Sequence, residues 1–110
     1  RLSPKARQLI TSAESERFIS AASAWELAIK AALGRTFLPT PVHHWLPDAR
    51  ARLAAESLAI DEETALTVAK LPFVHRDPFD RVLVAQAIVH GCTLLTPDPQ
   101  IHAYPVRATW

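Results

Sequence analysis

The chain has 110 residues, the length of one domain with room for a single core. It is 49% hydrophobic and 21% charged, which excludes an intrinsically disordered chain. Twelve Lys and Arg stand against eleven Asp and Glu, a net charge of +1, which excludes a protein that holds nucleic acid by bulk positive charge. Any nucleic-acid function must come from a local site. One cysteine, Cys92, cannot form an intrachain disulfide and fits a reducing cytoplasm. No signal peptide and no apolar run long enough to span a bilayer is seen, so no membrane association is expected. The sequence has no Met, and Arg1 is read as an internal position of a longer protein.

In chain order, Ser3-Pro4 predicts a helix start, with serine capping and proline in the first helical position, and the helix runs to about Ala13. Arg17–Ser20 reads as a short strand. Ser23 is expected to cap a helix over Ala24–Leu33 that Gly34 ends. Thr36–Pro41, with two prolines, is a loop. His44–Ala55 reads as helical despite Pro47, and Ser57–Ile60 as a short strand. A helix starts at or just after Asp61 and reaches about Leu71. Asp77-Pro78 starts a helix to His90-Gly91, apolar nearly all round and so expected to be packed against a sheet and covered elsewhere. Thr93–Thr96 is a buried strand and Val106–Ala108 a last one. Helices alternating with short strands imply one doubly wound α/β domain over residues 1–110.

Acidic residues fall where a core reading would not put them. At 100° per residue, Ala22, Trp25, Ile29, Ala32 and Leu33 form one apolar stripe, and Glu26 lies at its edge, roughly 20° from Leu33. A carboxylate there costs desolvation unless it is paired, hydrogen-bonded or bound to metal. Pairing with Lys30, four residues on, is the local alternative. Asp80 shares a face with Leu83, Val84 and Ala87 in the first turn of its helix, where the macrodipole alone accounts for an acid. Asp77 reads first as an N-cap. Asp98 stands in a Pro-Asp-Pro turn, where aspartates collect for local reasons.

Topology links three of them. Ligands of parallel α/β sheets bind beyond the carboxyl ends of the strands. Asp98 lies just past one such end, Asp80 opens the helix feeding that strand, and Glu26 lies early in the helix leaving Arg17–Ser20. The three are therefore expected on one edge of the sheet. Clustered carboxylates repel unless a cation sits among them, and oxygen-only donors suit Mg²⁺ or Mn²⁺ rather than Zn²⁺. Such a site can activate water against a phosphodiester. A phospho-accepting receiver domain would use similar geometry.

Three segments carry a family resemblance: SAASAWELAIKAALGR (20–35), LPFVHRDPFDRVLVAQA (71–87) and TLLTPDPQIHAYPVRATW (93–110). They resemble the VapC-type PIN-domain toxins, metal-dependent endoribonucleases of toxin–antitoxin systems with an active site of four acidic residues. The resemblance implies a PIN-like parallel sheet flanked by helices. It places Glu26, Asp80 and Asp98 as catalytic metal ligands, Asp77 in a supporting role, and Ser20 and Ser23 around metal or phosphate. It also implies an RNA substrate, a cognate antitoxin and a cytoplasmic setting, and a homodimer is expected. The family's first strand, expected to be central and to carry a further aspartate, would precede Arg1. That departure keeps open a second reading, a catalytically inactive module that binds antitoxin or dimerises.

The remaining candidates have strong structural alternatives. His43, His44, His75, His90 and His102 show no zinc spacing. Arg76 and Arg81 flank the acidic pair, either to hold RNA phosphates or as helix-start charges and a structural Arg–Asp pair. Trp25, Trp45 and Trp110 read as core rather than stacking surfaces, and Cys92 as a small core residue. Apolar surface around Trp45 and Leu46 is a candidate antitoxin contact.

Overall fold

Among the described residues, five of the six α-helices begin at a side chain that accepts from a backbone N–H otherwise left without a partner, and these starts set the layout of the fold. The computed structural model describes residues 3–73 and 77–110. The elements are α1 (Pro4–Thr11), β1 (Arg17–Ser20), α2 (Ala21–Ala32), α3 (Val42–Arg52), β2 (Ala55–Leu58), α4 (Glu62–Thr67) continued by a 3-10 turn (Val68–Lys70), α5 (Pro78–His90), β3 (Leu94–Leu95), α6 (Pro99–His102) and β4 (Ala108–Thr109). Their contacts divide into two units, residues 16–59 and residues 1–15 with 60–110. Both strand pairs are parallel, so the mixed α/β reading holds.

In the unit of residues 16–59, β1 pairs with β2 from Arg17 opposite Ala55 to Ser20 opposite Leu58. Arg17 fixes the start of this ladder, its Nε donating to the Leu53 carbonyl at 2.7 Å. The strand runs straight into α2. Ser20 is both the last residue of β1 and the cap of α2, its hydroxyl accepting from the Ala22 N–H at 3.0 Å. The cap is thus Ser20, not Ser23, because no loop separates strand from helix. At the other end Gly34 takes a positive φ of 69°. Its N–H donates to the Ala31 carbonyl at 3.2 Å and the Arg35 N–H to the Lys30 carbonyl at 2.9 Å, the paired closure of a Schellman motif.

The second helix of this unit starts earlier than its sequence pattern suggested. The Pro41 carbonyl accepts from the His44 and Trp45 N–H groups, both at 2.9 Å, so α3 begins at Val42 and carries Pro47 in its interior. It also ends earlier, because Ala54 turns the chain with a φ of 51°. The following strand is therefore Ala55–Leu58 rather than Ser57–Ile60. The expected apolar stripe of α2 is only partly covered: Ala22 is buried, whereas Trp25 and Leu33 are each 61% exposed.

In the other unit, Val84, Ile101 and Tyr104 form a core against which Leu71, Leu94, Val106 and Ala108 pack. The apolar character of α5 buries four consecutive residues, Val84–Ala87, but leaves Ile88 exposed at its end. Gly91 adopts a φ of 68° and reverses the chain into β3, where Leu94 pairs with Ala108 and Leu95 with Thr109. β3 is shorter than the expected Thr93–Thr96, and the last strand lies two residues later than expected.

Asp61 starts α4, its Oδ1 accepting from the Thr64 N–H at 2.8 Å, and its Oδ2 lies 3.2 Å from His90 Nε2 at the last turn of α5. Hydrogen bonding from Thr64, helped by His90, holds the Asp61 carboxyl below its ordinary range against a weaker opposing desolvation. A depressed folded value means that Asp61 stabilises the fold above about pH 4 and stops doing so as pH falls through that folded value. Asp61→Asn keeps an equally good cap and removes the titration. The variant is expected to lose thermal midpoint at pH 7 and to converge on the wild type in acid. An equal deficit at pH 7 and at pH 2 would exclude this linkage.

Candidate functional site

Two aspartate–proline steps build one part of the site in the same way. Asp77 Oδ1 accepts from the Phe79 N–H at 2.9 Å and caps α5, and Asp98 Oδ1 accepts from the Gln100 N–H at 2.9 Å and caps α6. Their backbones are nearly superimposable, with φ, ψ of −62°, 113° and −72°, 114°. Proline in the first helical position sets φ for the helix and has no N–H to satisfy. Asp98 is held further by its own N–H, which donates to the Thr96 hydroxyl at 3.1 Å. The carbonyl of Thr96 pairs with His102 Nε2 at 2.8 Å, closing the turn around the carboxylate.

Asp80 stands in the first turn of α5, half-buried, where the helix macrodipole favours an anion. From Asp80 to His90 the helix rises about 15 Å. Gly91 reverses the chain between α5 and β3, which pack on each other, with Asp80 in the first turn of the helix and Asp98 three residues past the strand.

Arg81, next to Asp80, is engaged by the fold. Its Nη1 donates to the Pro72 carbonyl at 3.1 Å and the Tyr104 hydroxyl at 3.3 Å, and its Nη2 to the Val68 carbonyl at 3.0 Å. The guanidinium carbon also lies 5.3 Å from the centre of the Phe73 ring. One side chain thus gathers carbonyls at the end of the 3-10 turn and the buried Tyr104 around the start of α5. Arg76 and His75 lie outside the described residues.

The unit of residues 16–59 holds the other candidates. Ser20, Ser23 and Glu26 follow one another over the first two turns of α2. Glu26 lines an open cavity of about 260 Å³ together with Ile19, Ser23, Leu27, Lys30 and Leu46. Its Oε2 pairs with Lys30 Nζ at 3.4 Å, the i, i+4 alternative noted from the sequence. The pair is partly solvated, so it orients Glu26 more than it stabilises the helix. Among the described residues, no group of three or more His, Cys, Asp or Glu gathers closely enough to hold a metal ion.

The structure adds residues that the sequence reading left aside. α6, with His102 and Thr96 around Asp98, is too short for any periodicity, although Asp98-Pro99 carries the same start signal as Asp77-Pro78. Cys92 is not a core residue but half-exposed, lining a second cavity of about 220 Å³ with Ile88, Pro105 and Arg107. Trp45 and Trp110 are half-buried and belong to no buried cluster of the described residues, and Trp25 is 61% exposed.

Comparison with known proteins agrees with this architecture. The PIN domain family matches residues 2–106 of the chain. Ribonuclease VapC22 of Mycobacterium tuberculosis (strain H37Rv) is 36% identical over 112 residues, which span 99% of this chain and 84% of that protein.

The Arg81 geometry yields a measurable outcome. Removing this partly exposed side chain as Arg81→Ala is expected to lower folding stability by about 1–2 kcal/mol, since bonds to a charged group contribute at most a few kcal/mol together. Chemical denaturation reads this directly. An unchanged midpoint would transfer Arg81 from the scaffold to ligand binding.

Proposed function

Because this chain belongs to the PIN-domain family, we propose that residues 1–110 form one PIN-like domain acting as a metal-dependent endoribonuclease toxin. The observation that carries the reading is the coincidence of the PIN domain match and the Ribonuclease VapC22 relative with acidic residues at strand ends and helix starts. Glu26, Asp80 and Asp98 would hold Mg²⁺ or Mn²⁺, with Asp77 in support. Their donors are all oxygens, which is the chemistry those cations select. When bound, the metal supplies the positive charge that activates water and offsets charge building on the phosphodiester.

The chain's own groups do the positioning. Asp80 stands in the first turn of α5, where the macrodipole favours an anion. Asp98 is oriented by its cap bond to Gln100 and by the Thr96 hydroxyl. Lys30 orients Glu26 from the cavity wall. Ser23, lining the same cavity, and Ser20, at the start of α2, stand where a phosphate oxygen would find hydroxyl donors. RNA is the substrate class in this reading.

A cognate antitoxin would neutralise the enzyme. Leu46, which shares the Glu26 cavity, and the neighbouring Trp45 are its proposed contacts. Among the described residues no helix is long and apolar enough to cross a membrane. A cytoplasmic homodimer completes the proposal.

The test is cleavage of a labelled RNA panel in Mn²⁺, with a chelator control and with Asp80→Asn and Asp98→Asn. Wild-type protein should cut, and chelation or either substitution should reduce cutting to background while circular dichroism stays unchanged. Retained cleavage in either variant would remove that residue from the site. A folded wild type that never cuts but binds antitoxin stoichiometrically would favour the inactive module instead.

A further inference from the structure

The segment joining α2 to α3 presents an aromatic ring to solvent in an unusual way. Phe37 is 95% exposed, although single exposed hydrophobics are common enough that exposure alone signifies little. Its setting adds the argument. Thr36 and Leu38 on either side are half-buried, so its immediate neighbours anchor the segment while the Phe37 ring stands out. The Schellman closure at Gly34 fixes the entry, with the Arg35 N–H bonded to the Lys30 carbonyl at 2.9 Å. Pro39 and Pro41 restrict the exit, and Pro41 is itself the cap position of α3. The ring is therefore held out by a stiff loop, which lowers the entropy lost when a ligand covers it.

The chain segment that carries this ring is mostly basic, although Lys30 at its start is paired with Glu26. From Lys30 to Arg52 the chain carries Lys30, Arg35, Arg50 and Arg52 against Asp48 alone, while the rest of the chain has eight cations and ten acids. Arg50 and Arg52 sit in the last turn of α3, where the macrodipole accounts for them. Arg35 lies outside the helix, just past the cap of α2. It is exposed two residues before Phe37 and directly follows the glycine that ends α2. Lys30, one turn back, lines the cavity that contains Glu26, so the loop continues from the proposed active site.

An exposed aromatic ring two residues from an exposed cation, in a segment with few acids, matches a nucleobase and its phosphate better than a protein patch, which would require contiguous apolar surface. We propose that Phe37 is a stacking platform for one base of single-stranded RNA, with Arg35 holding an adjoining phosphate. This rests on the ribonuclease reading and adds to it a substrate-positioning surface outside the acidic cluster.

The test measures binding of a short fluorescein-labelled single-stranded RNA by anisotropy, in chelator so that nothing is cut, alongside Mn²⁺-dependent cleavage by the wild type. Phe37→Ala should weaken binding by about 5- to 150-fold, the range for losing one base–aromatic stack, and Phe37→Trp should retain it. Arg35→Ala should reduce the slope of log affinity against log salt by about 0.7, as for one phosphate contact on a single strand. Equal affinity of Phe37→Ala and wild type, with wild-type cleavage intact, overturns the platform and leaves the ribonuclease standing. A Phe37→Ala variant that changes elution volume while binding RNA normally overturns it in favour of a protein contact. Wild type that neither binds nor cuts RNA removes both readings together.

Discussion

Backbone N–H groups at helix starts, which no residue inside the helix can satisfy, are the constraint on which this structure depends most. Ser3, Ser20, Asp61, Asp77 and Asp98 each supply the missing acceptor. Ser20 ends β1, and Asp61 and Asp98 each follow a strand by three residues, beyond the carboxyl end where an α/β fold places its ligands. The same physical requirement therefore stabilises the fold and concentrates acids and hydroxyls where chemistry is proposed. Asp98 shows the overlap best: one of its oxygens is committed to α6, and that commitment sets the direction of the carboxylate.

A second constraint follows from how little apolar surface the two units bury. The core of residues 60–110 is small, centred on Val84, Ile101 and Tyr104. Polar connections tie the surrounding loops to it. Arg81 gathers the carbonyls of Val68 and Pro72 and the hydroxyl of Tyr104. Arg107 does similar work nearby, its Nη2 donating to the Gly91 carbonyl at 2.5 Å and so closing the turn that leads into β3. In the unit of residues 16–59, Arg17 plays the corresponding part on the Leu53 carbonyl. Three arginines thus act as cross-links between backbone segments, a use that a fork of fixed donors suits. The two units share this economy of small cores and arginine staples.

Much of the candidate site was legible because its signals are local. Asp77-Pro78 marked the start of α5 and His90-Gly91 its end, since proline and glycine restrict the backbone regardless of what surrounds them. The Glu26–Lys30 pair followed from helical spacing alone. The misplacements have equally physical origins. Ser23 reads as the cap from residue type alone, whereas the strand turns directly into the helix at Ser20. α3 was displaced because a carbonyl, not a side chain, provides its start, and a carbonyl leaves no mark on residue type. α6 escaped notice because four residues have no period, even with Asp-Pro at their head.

The sequence by itself determined the alternation of helices and strands, the glycine and proline stops, and the residue types at each helix start, because these depend on bonds spanning a few residues. Only the tertiary structure decided which side chains are covered. Trp25 and Leu33 belong to a periodic apolar stripe yet remain largely exposed, while Gln86 and Thr64 are buried. It likewise assigned Arg81 to carbonyls nine and thirteen residues away and left Phe37 standing out from its loop. Coverage depends on what the rest of the chain brings alongside a residue, and hydrophobic burial is non-directional, so periodicity names a face without stating what packs upon it.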